Sequence, residues 1–260
     1  MVAQSDKPRL LLRRIHIDNY KCMSNFTVKI RDFTLLMGKN GTGKSAIFEV
    51  INCLHRFICQ KVDITHIFPT FTLSKFMTHS DQTFELEVSD DDGEFRYVYK
   101  LIIEHERAAE KARVKKEELL LNDQPILKIE MGEAHMFSEE TPHHEYREGP
   151  TFPFNWSISG FTLEFKEEFN SSLLLFRKWA QGIVALSPNP WQIKPSSISE
   201  SVFLDSHAEN FASWYRNNLL TNYQNISEKV DTRIQQILPG YNGLHFHGTG
   251  GEWNRFCSWF

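Results

Sequence analysis

Residues 33–58 read FTLLMGKNGTGKSAIFEVINCLHRFI, and this stretch decides the predicted fold. Residues 33–37 form an apolar run, which is typical of a strand covered on both faces of a sheet. A glycine-rich segment follows, and after it the apolar residues recur on one face of a predicted helix: Ile47, Val50, Ile51, Leu54 and Ile58. A strand, a glycine loop and a helix in this order predict an α/β fold.

The glycine-rich segment satisfies the pattern GxxxxGK[ST] in full. Glycines allow consecutive backbone N–H groups to converge on one phosphate, with the positive end of the helix behind them. We expect Lys44 to reach the β and γ oxygens of a nucleoside triphosphate, and the Ser45 hydroxyl to bind Mg²⁺. The predicted site for ATP and Mg²⁺ consists of consecutive residues: Gly38, Lys39, Asn40, Gly41, Thr42, Gly43, Lys44 and Ser45.

Patterns on both sides of this loop predict an antiparallel sheet region. Alternating apolar residues predict strands at 15–17 and 26–30, a long hairpin over 84–103 and a second hairpin over 118–131. Residues 104–118 carry dense charges of both signs, and we interpret them as a solvated loop or exposed helix end. Residues 133–153 are polar and contain Pro and Gly, which favours a loop.

The remainder of the sequence is predicted to be mainly helical. A helix over 165–180 is stopped by Gly182, and a short buried strand at 183–186 follows it. Two capped helices begin at Ser206 and Asn225, and a last strand is expected at 244–246. We therefore divide a single domain into a phosphate-loop half of the core, an antiparallel β insert with loops and a helical segment that returns to the core, at 1–61, 62–160 and 161–260.

Composition limits the class of protein. The net charge of −4 and the pI near 6.3 argue against a chain covered in positive charge for DNA or an acidic membrane. Neither a signal peptide nor a run of about 18 apolar residues is present, so we expect a cytoplasmic protein with no membrane partner. The cysteines form no CxxC pair and are expected to be reduced thiols: Cys22, Cys53, Cys59 and Cys257.

Residues for hydrolysis are harder to identify. A nucleotide hydrolase needs a carboxylate that positions Mg²⁺, usually an Asp that ends an apolar strand. Asp205 follows the run Val202-Phe203-Leu204, but the next residues resemble a helix start. The catalytic residues therefore stay unassigned. Several histidines are interpreted as structural or solvent-facing rather than as sensors or metal ligands: His79, His143, His144, His245 and His247.

Residues 11–54, LLRRIHIDNYKCMSNFTVKIRDFTLLMGKNGTGKSAIFEVINCL, resemble the amino-terminal segment of the RecF/SMC-like ABC-type ATPases. That group includes bacterial proteins described as AAA family ATPases. The shared pattern is a strand, the triplet Asn19-Tyr20-Lys21, a second strand and a loop of the form GxNGxGKS. The resemblance implies an α/β P-loop head of ABC type with an antiparallel β-subdomain, incomplete at its carboxy terminus.

The same resemblance implies further roles and a missing part. Lys21 is expected to approach the phosphates, Asn40 to set the γ-phosphate side, and Gln192, or else Gln181, to couple Mg²⁺ to partner contacts. Such ATPases also carry a serine-glycine signature, a strand ending in Asp-Glu and a switch histidine, none of which occurs in this sequence. We therefore expect the polypeptide to be the amino-terminal half of a longer design.

Two functional hypotheses follow from these observations. In the first, the chain binds ATP and hydrolyses it once it is completed by the missing half and dimerised, and it acts on DNA or on an effector protein, as in phage defence. Its partner is then another copy or a complementary ATPase half. In the second, the chain is a non-hydrolysing nucleotide-binding or protein-interaction module. A small kinase or GTPase is less well supported, because neither an NKxD motif nor an arginine-rich lid is present.

Overall fold

The computed structural model describes residues 8–140, 145–249 and 252–259. The chain divides into two compact units, Met1–Ile183 and Val184–Phe260. This boundary lies inside the third of the three segments into which the sequence was divided. The glycine loop belongs to the first unit.

A single antiparallel sheet of eight strands dominates the first unit, in the order β2-β1-β3-β4-β5-β6-β7-β8. The strand β1 lies between β2 and β3, so strands from both sides of the glycine loop share one sheet. The strands are β1 Leu11–Asp18, β2 Phe26–Lys29, β3 Asp81–Ser89, β4 Arg96–Glu106, β5 Lys111–Leu121, β6 Gln124–Glu130, β7 Glu133–Glu140 and β8 Glu145–Pro153.

The sheet has one apolar and one charged face, as the alternating sequence requires. In β3, the side chains of Phe84, Leu86 and Val88 are buried. Those of Glu85 and Glu87 point to the opposite face, where they pair with basic residues of the neighbouring strands: Arg14, Lys100 and Arg96. Both predicted hairpins are confirmed, since β3 pairs with β4 and β5 pairs with β6.

Helices pack on the apolar face. They are α1 Lys44–Cys59, α2 Ile64–Ile67 and α3 Glu167–Gln181, with short 3₁₀ turns at Thr70–Thr72 and Gly160–Thr162. The predicted stripe of α1 is confirmed, because Ile47, Val50, Leu54 and Ile58 are all buried in the same core as the strands. Among the described residues, no helix combines the length and the apolar character that crossing a membrane requires.

The strand predicted at residues 33–37 is wrong, because these residues form no strand. Leu36 packs against the core, but Phe33, Leu35 and Met37 are 84%, 69% and 84% exposed. No backbone hydrogen bond joins this segment to another part of the described chain. Apolar composition favours burial, but a strand also needs a neighbouring backbone to pair with, and the described part of the first unit supplies none here.

Two predicted loops are strands instead. Apart from a turn at 107–110, residues 104–118 lie in β4 and β5, where opposite charges pair across the sheet, as Arg113 does with Glu104. Residues 133–140 and 145–153 form β7 and β8, which pair with each other. Pro150 is compatible with β8 because that strand is at the edge of the sheet and need not donate a hydrogen bond on its outer side.

The second unit contains one helix and a small sheet. Strands β9 Ser196–Ser197, β10 Tyr241–Thr249 and β11 Glu252–Trp259 pair in the order β10-β11-β9, and β10 confirms the strand expected at 244–246. Residues 183–186 form no strand, and Val184 is exposed. The two predicted helices are one helix, α4 Phe211–Ile237. Residues 221–225 are polar but lack Gly and Pro, so they do not end it.

A buried carboxyl group ties β5 to the segment before α3. Both oxygens of Glu117 are occupied, since Oε1 accepts hydrogen bonds from the Tyr99 hydroxyl and the Ser159 hydroxyl, and Oε2 accepts one from the Gly160 amide. Burial raises the pKa of Glu117 to about 7, although the three hydrogen bonds oppose that shift. The group therefore changes charge near neutral pH inside the core.

Stability should depend on pH through Glu117. The unfolded chain releases this proton near pH 4.5 and the folded chain near pH 7, so the folded state binds the proton more tightly. The resulting stabilisation is complete below pH 4.5 and is lost as the pH rises through 7. Between pH 5 and pH 8 the free energy of unfolding of the wild type should fall by about 2 kcal/mol relative to Glu117→Gln, measured by urea denaturation. Parallel pH profiles for the two proteins would contradict this assignment.

Candidate nucleotide-binding site

The glycine loop runs from Gly38 to the first residue of α1, Lys44. Two of its glycines have backbone angles that other residues avoid, with φ of 83° at Gly41 and 91° at Gly43. The Thr42 hydroxyl donates a hydrogen bond of 2.9 Å to the Lys39 carbonyl, which closes a tight turn inside the loop. Residues 39–42 therefore form a tight turn at the centre of the loop.

The amino terminus of α1 is open to an anion. No side chain caps it, and its first turn contains no acidic residue. The first backbone N–H groups of the helix therefore have no capping side chain as an acceptor. No acidic side chain in the first turn balances the positive end of the helix dipole. In a helix of 16 residues, this arrangement favours a phosphate or another anion at the end of the loop.

Lys44 contacts the loop that it follows. Its Nζ donates hydrogen bonds of 2.7 Å to the carbonyl oxygens of both Gly38 and Lys39. The ammonium group is thus held above the loop by two backbone acceptors. Ser45 is exposed at the next position, where its hydroxyl is accessible to a metal ion carried by a phosphate group.

A tight turn formed by Tyr20–Met23 lies against this loop. The amides of Tyr20 and Met23 each donate to the carbonyl of the other, at 3.1 and 2.8 Å. A Cβ atom added to Gly43 would be 3.0 Å from Cys22 Sγ and 3.1 Å from Met23 Cε. A side chain at position 43 would be crowded at these distances, so the residues directly after the triplet noted in the sequence pack beside the glycine loop.

The turn is held by a buried amide, Asn19, which is also left-handed with φ of 58°. Its Nδ2 donates to the carbonyls of His79 and Asp81, and its Oδ1 accepts from the Ser74 amide. Gln82, equally buried, donates to the Asn19 carbonyl at 3.0 Å. These bonds connect the turn to the start of β3.

His105 extends this network to β4. Its Nε2 lies 2.9 Å from Gln82 Oε1, and burial is the main cause that lowers its pKa to about 4. The imidazole is therefore neutral at ordinary pH and donates to the amide oxygen. Burial likewise raises the pKa of the Tyr20 phenol far above its usual range. The supporting layer beneath the turn carries no charge.

Lys21 is the charged side chain of the turn. Its Nζ donates hydrogen bonds of 2.6 and 2.5 Å to the two carboxylate oxygens of Glu49 on α1. It also lies 5.6 Å from the centre of the Tyr20 ring. Lys21 was expected to approach phosphates, and here its ammonium group pairs with a carboxylate of α1.

The other predicted binding residues belong to the second unit or to the end of α3. Asp205 belongs to the second unit, where its carbonyl accepts from the Ala208 amide in the turn before α4. Gln192 bonds locally to Asn189, and Gln181 is exposed at the end of α3. His143 and His144 lie outside the described residues, and of His245 and His247 only the backbone in β10 is described.

His79 contacts the turn from outside the sheet and is about half exposed. Its Nδ1 lies 3.3 Å from Asn19 Nδ2, which agrees with the structural role predicted for it. Cys53 and Cys59 are free thiols, and burial raises their pKa values to about 11 and about 12, as expected for reduced cysteines that do not react. In the described part of the chain, no three His, Cys, Asp or Glu side chains converge as metal ligands do.

Sequence reasoning missed Asn19, Gln82 and Glu49 as parts of the site. Asn19 was noted as the first residue of a triplet, but nothing in the pattern indicated that its amide is buried. Gln82 lies on the buried face of β3, where the other residues are apolar. A polar residue on an otherwise apolar face was the sequence signal that could have indicated its role. Glu49 carries no signal, because its partner is distant in the sequence.

Comparison with known proteins agrees with this geometry. Residues 11–239 match the model of a protein family described as the AAA ATPase domain. The matched region spans most of the chain and includes the glycine loop, the turn and the eight-stranded sheet. A comparison with curated proteins found no match.

Substitution of Gly43 should test the packing between turn and loop. Gly43→Ala and Gly41→Ala both force a left-handed backbone on alanine, at a cost of about 1–2 kcal/mol. Only at Gly43 does the new Cβ also meet Cys22 and Met23, since the space around Gly41 is open. We expect the free energy of unfolding, measured by urea denaturation, to fall by about 1 kcal/mol more for Gly43→Ala than for Gly41→Ala. Equal losses would show that the turn does not press on the loop.

Proposed function

Since the chain belongs to the AAA ATPase domain family, we propose that it binds ATP with Mg²⁺ at residues 38–45. The observation that carries the proposal is the uncapped amino terminus of α1 behind the glycine loop, with the Lys44 ammonium beside it. Backbone amides and the helix dipole would hold the β-phosphate. Lys44 would neutralise the β and γ oxygens, and Ser45 would provide one ligand to Mg²⁺.

Two neighbouring side chains complete the proposed binding site. Asn40 is exposed in the loop and would face the γ-phosphate. Lys21 would add a second positive charge from the side of the turn. When bound, Mg²⁺ would neutralise charge on the phosphates, and the role of this chain is to position them. We also propose, from the resemblance to RecF/SMC-like ATPases, that the head is of ABC type.

Replacement of Lys44 should test whether its ammonium group contributes to ATP binding. Lys44→Ala removes the ammonium group, and we expect the dissociation constant for ATP with Mg²⁺ to rise at least about tenfold, measured by isothermal titration calorimetry. Lys61→Ala is the matched control, because Lys61 is exposed beyond the opposite end of α1. It should bind ATP as the wild type does. Wild-type binding no tighter than that of Lys44→Ala would refute the proposal.

We propose that hydrolysis requires a further element supplied by another polypeptide, either a complementary ATPase half or a second copy of this chain. Hydrolysis of a nucleotide needs an acidic residue near Mg²⁺. Among the residues that the structure describes, no three His, Cys, Asp or Glu side chains converge as metal ligands do. The exposed side chains of Phe33, Leu35 and Met37 support such an association, because they lie directly before the loop and would be covered by an added strand.

Association should depend on the segment 33–37. Leu35→Lys places a charge on its exposed face, so we expect the variant to keep the stability of the wild type but to lose the self-association of the wild type in ATP and Mg²⁺, measured by sedimentation velocity. Val202→Lys, at an equally exposed apolar position in the second unit, should associate as the wild type does. Association of Leu35→Lys at the wild-type level would exclude this segment as the interface.

The second candidate function is a non-hydrolysing module that holds ATP and docks to a partner. It is favoured by the position of Asp205 directly before the turn that precedes α4, where it does not end a strand. Absence of turnover together with ATP-dependent association would select it. From the resemblance to RecF/SMC-like ATPases, we also propose that the assembled protein acts on DNA or on an effector protein.

A further inference from the structure

The ion pair between Lys21 and Glu49 joins the turn to α1 at the surface. Both carboxylate oxygens accept hydrogen bonds from Lys21 Nζ, at 2.6 and 2.5 Å. The two side chains are 38% and 42% exposed. A pair with this much contact with water contributes little to stability, so it can be exchanged for another partner at low cost.

The backbone of Lys21 is fixed, in contrast to its side chain. The Lys21 amide donates to the Thr72 carbonyl at 2.7 Å, and its φ of 52° sets the turn. The buried Asn19 and Gln82 hold the turn on the side of the sheet, and Cys22 and Met23 hold it against Gly43. The ammonium group of Lys21 therefore moves by rotation of its side chain, while the backbone of Lys21 stays in place.

The place where the phosphates would bind, at the amino terminus of α1, is close to Glu49 along the same helix. Glu49 is four residues after Ser45, so the two side chains share one face of the helix and are one turn apart, about 6 Å. The residue next to Lys21, Cys22, already contacts Gly43. The side chain of Lys21 is a flexible four-carbon stem. When it rotates toward the amino terminus of α1, its ammonium group moves from Glu49 to the place where the phosphates would bind.

From these observations we infer that Glu49 is a positioning residue that competes with the phosphates of the bound nucleotide for Lys21. The inference rests on the proposed ATP site. Without nucleotide, the carboxylate holds the ammonium one turn away from the loop. With nucleotide, the ammonium leaves Glu49 for the phosphate oxygens, and the Glu49 carboxylate is released beside the site. Binding of ATP and breaking of the ion pair are then one event.

The test measures binding of ATP with Mg²⁺ by isothermal titration calorimetry in four proteins: wild type, Glu49→Gln, Lys21→Met and the double variant. Removing the competitor should tighten binding about two- to fivefold in Glu49→Gln. Lys21→Met keeps the apolar stem over Tyr20 but loses the charge, so it should weaken binding about tenfold. In the double variant, Glu49→Gln should have no effect, because the charge for which it competes is gone.

Other outcomes overturn the inference in distinguishable ways. Tightening that persists in the double variant would mean that Glu49 repels the nucleotide through space. No tightening in Glu49→Gln, or in Glu49→Ala as a second removal of the carboxylate, would mean that no competition exists. In both cases the proposed function stands if the wild type binds more tightly than Lys44→Ala. Wild-type binding equal to that of Lys44→Ala would overturn both proposals. A purely structural role for Glu49 predicts weaker, not tighter, binding.

Discussion

The buried side-chain amide of Asn19 is the interaction on which the rest of the site depends. A buried amide must satisfy its hydrogen bonds, and Asn19 does so with backbone groups of residues 74, 79 and 81. Those bonds hold a left-handed residue at the end of β1 and direct the chain into the turn that carries Lys21. Because Cys22 and Met23 of the same turn pack beside Gly43, the hydrogen bonds of Asn19 connect the sheet to the glycine loop.

Charge is distributed around this layer in a way that suits anion binding. The groups beneath the turn are neutral, since burial keeps His105 uncharged and the Tyr20 phenol protonated, and Asn19 and Gln82 are amides. The charges lie at the surface, where Lys44 is held by backbone carbonyls and Lys21 by one carboxylate. Neutral support avoids the cost of burying ions, and exposed cations can change partners. A rigid base with adjustable charges is well suited to a ligand that carries several negative charges.

The apolar side chains of residues 33–37 contrast with this well-satisfied region. The loop and α1 are packed into the core, but the segment that leads into them exposes three large side chains without backbone partners in the described chain. The cost of such exposure is moderate in a soluble monomer and is removed by association. The proposed phosphate-binding part of the site is therefore built from contacts within the first unit, whereas the segment before it would be covered by the proposed association.

The sequence by itself determined the elements whose signal is local. The glycine pattern and the apolar stripe of α1 predicted the loop and its helix, and strict alternation predicted the β3–β4 hairpin, because a period of two or of 3.6 residues reflects which face is buried. Only the tertiary structure decided whether residues 33–37 are a strand, whether the charged residues 104–118 pair across a sheet, and that Glu49 binds Lys21. Each of those outcomes depends on a partner distant in the chain, and a one-dimensional pattern contains no record of which distant groups meet.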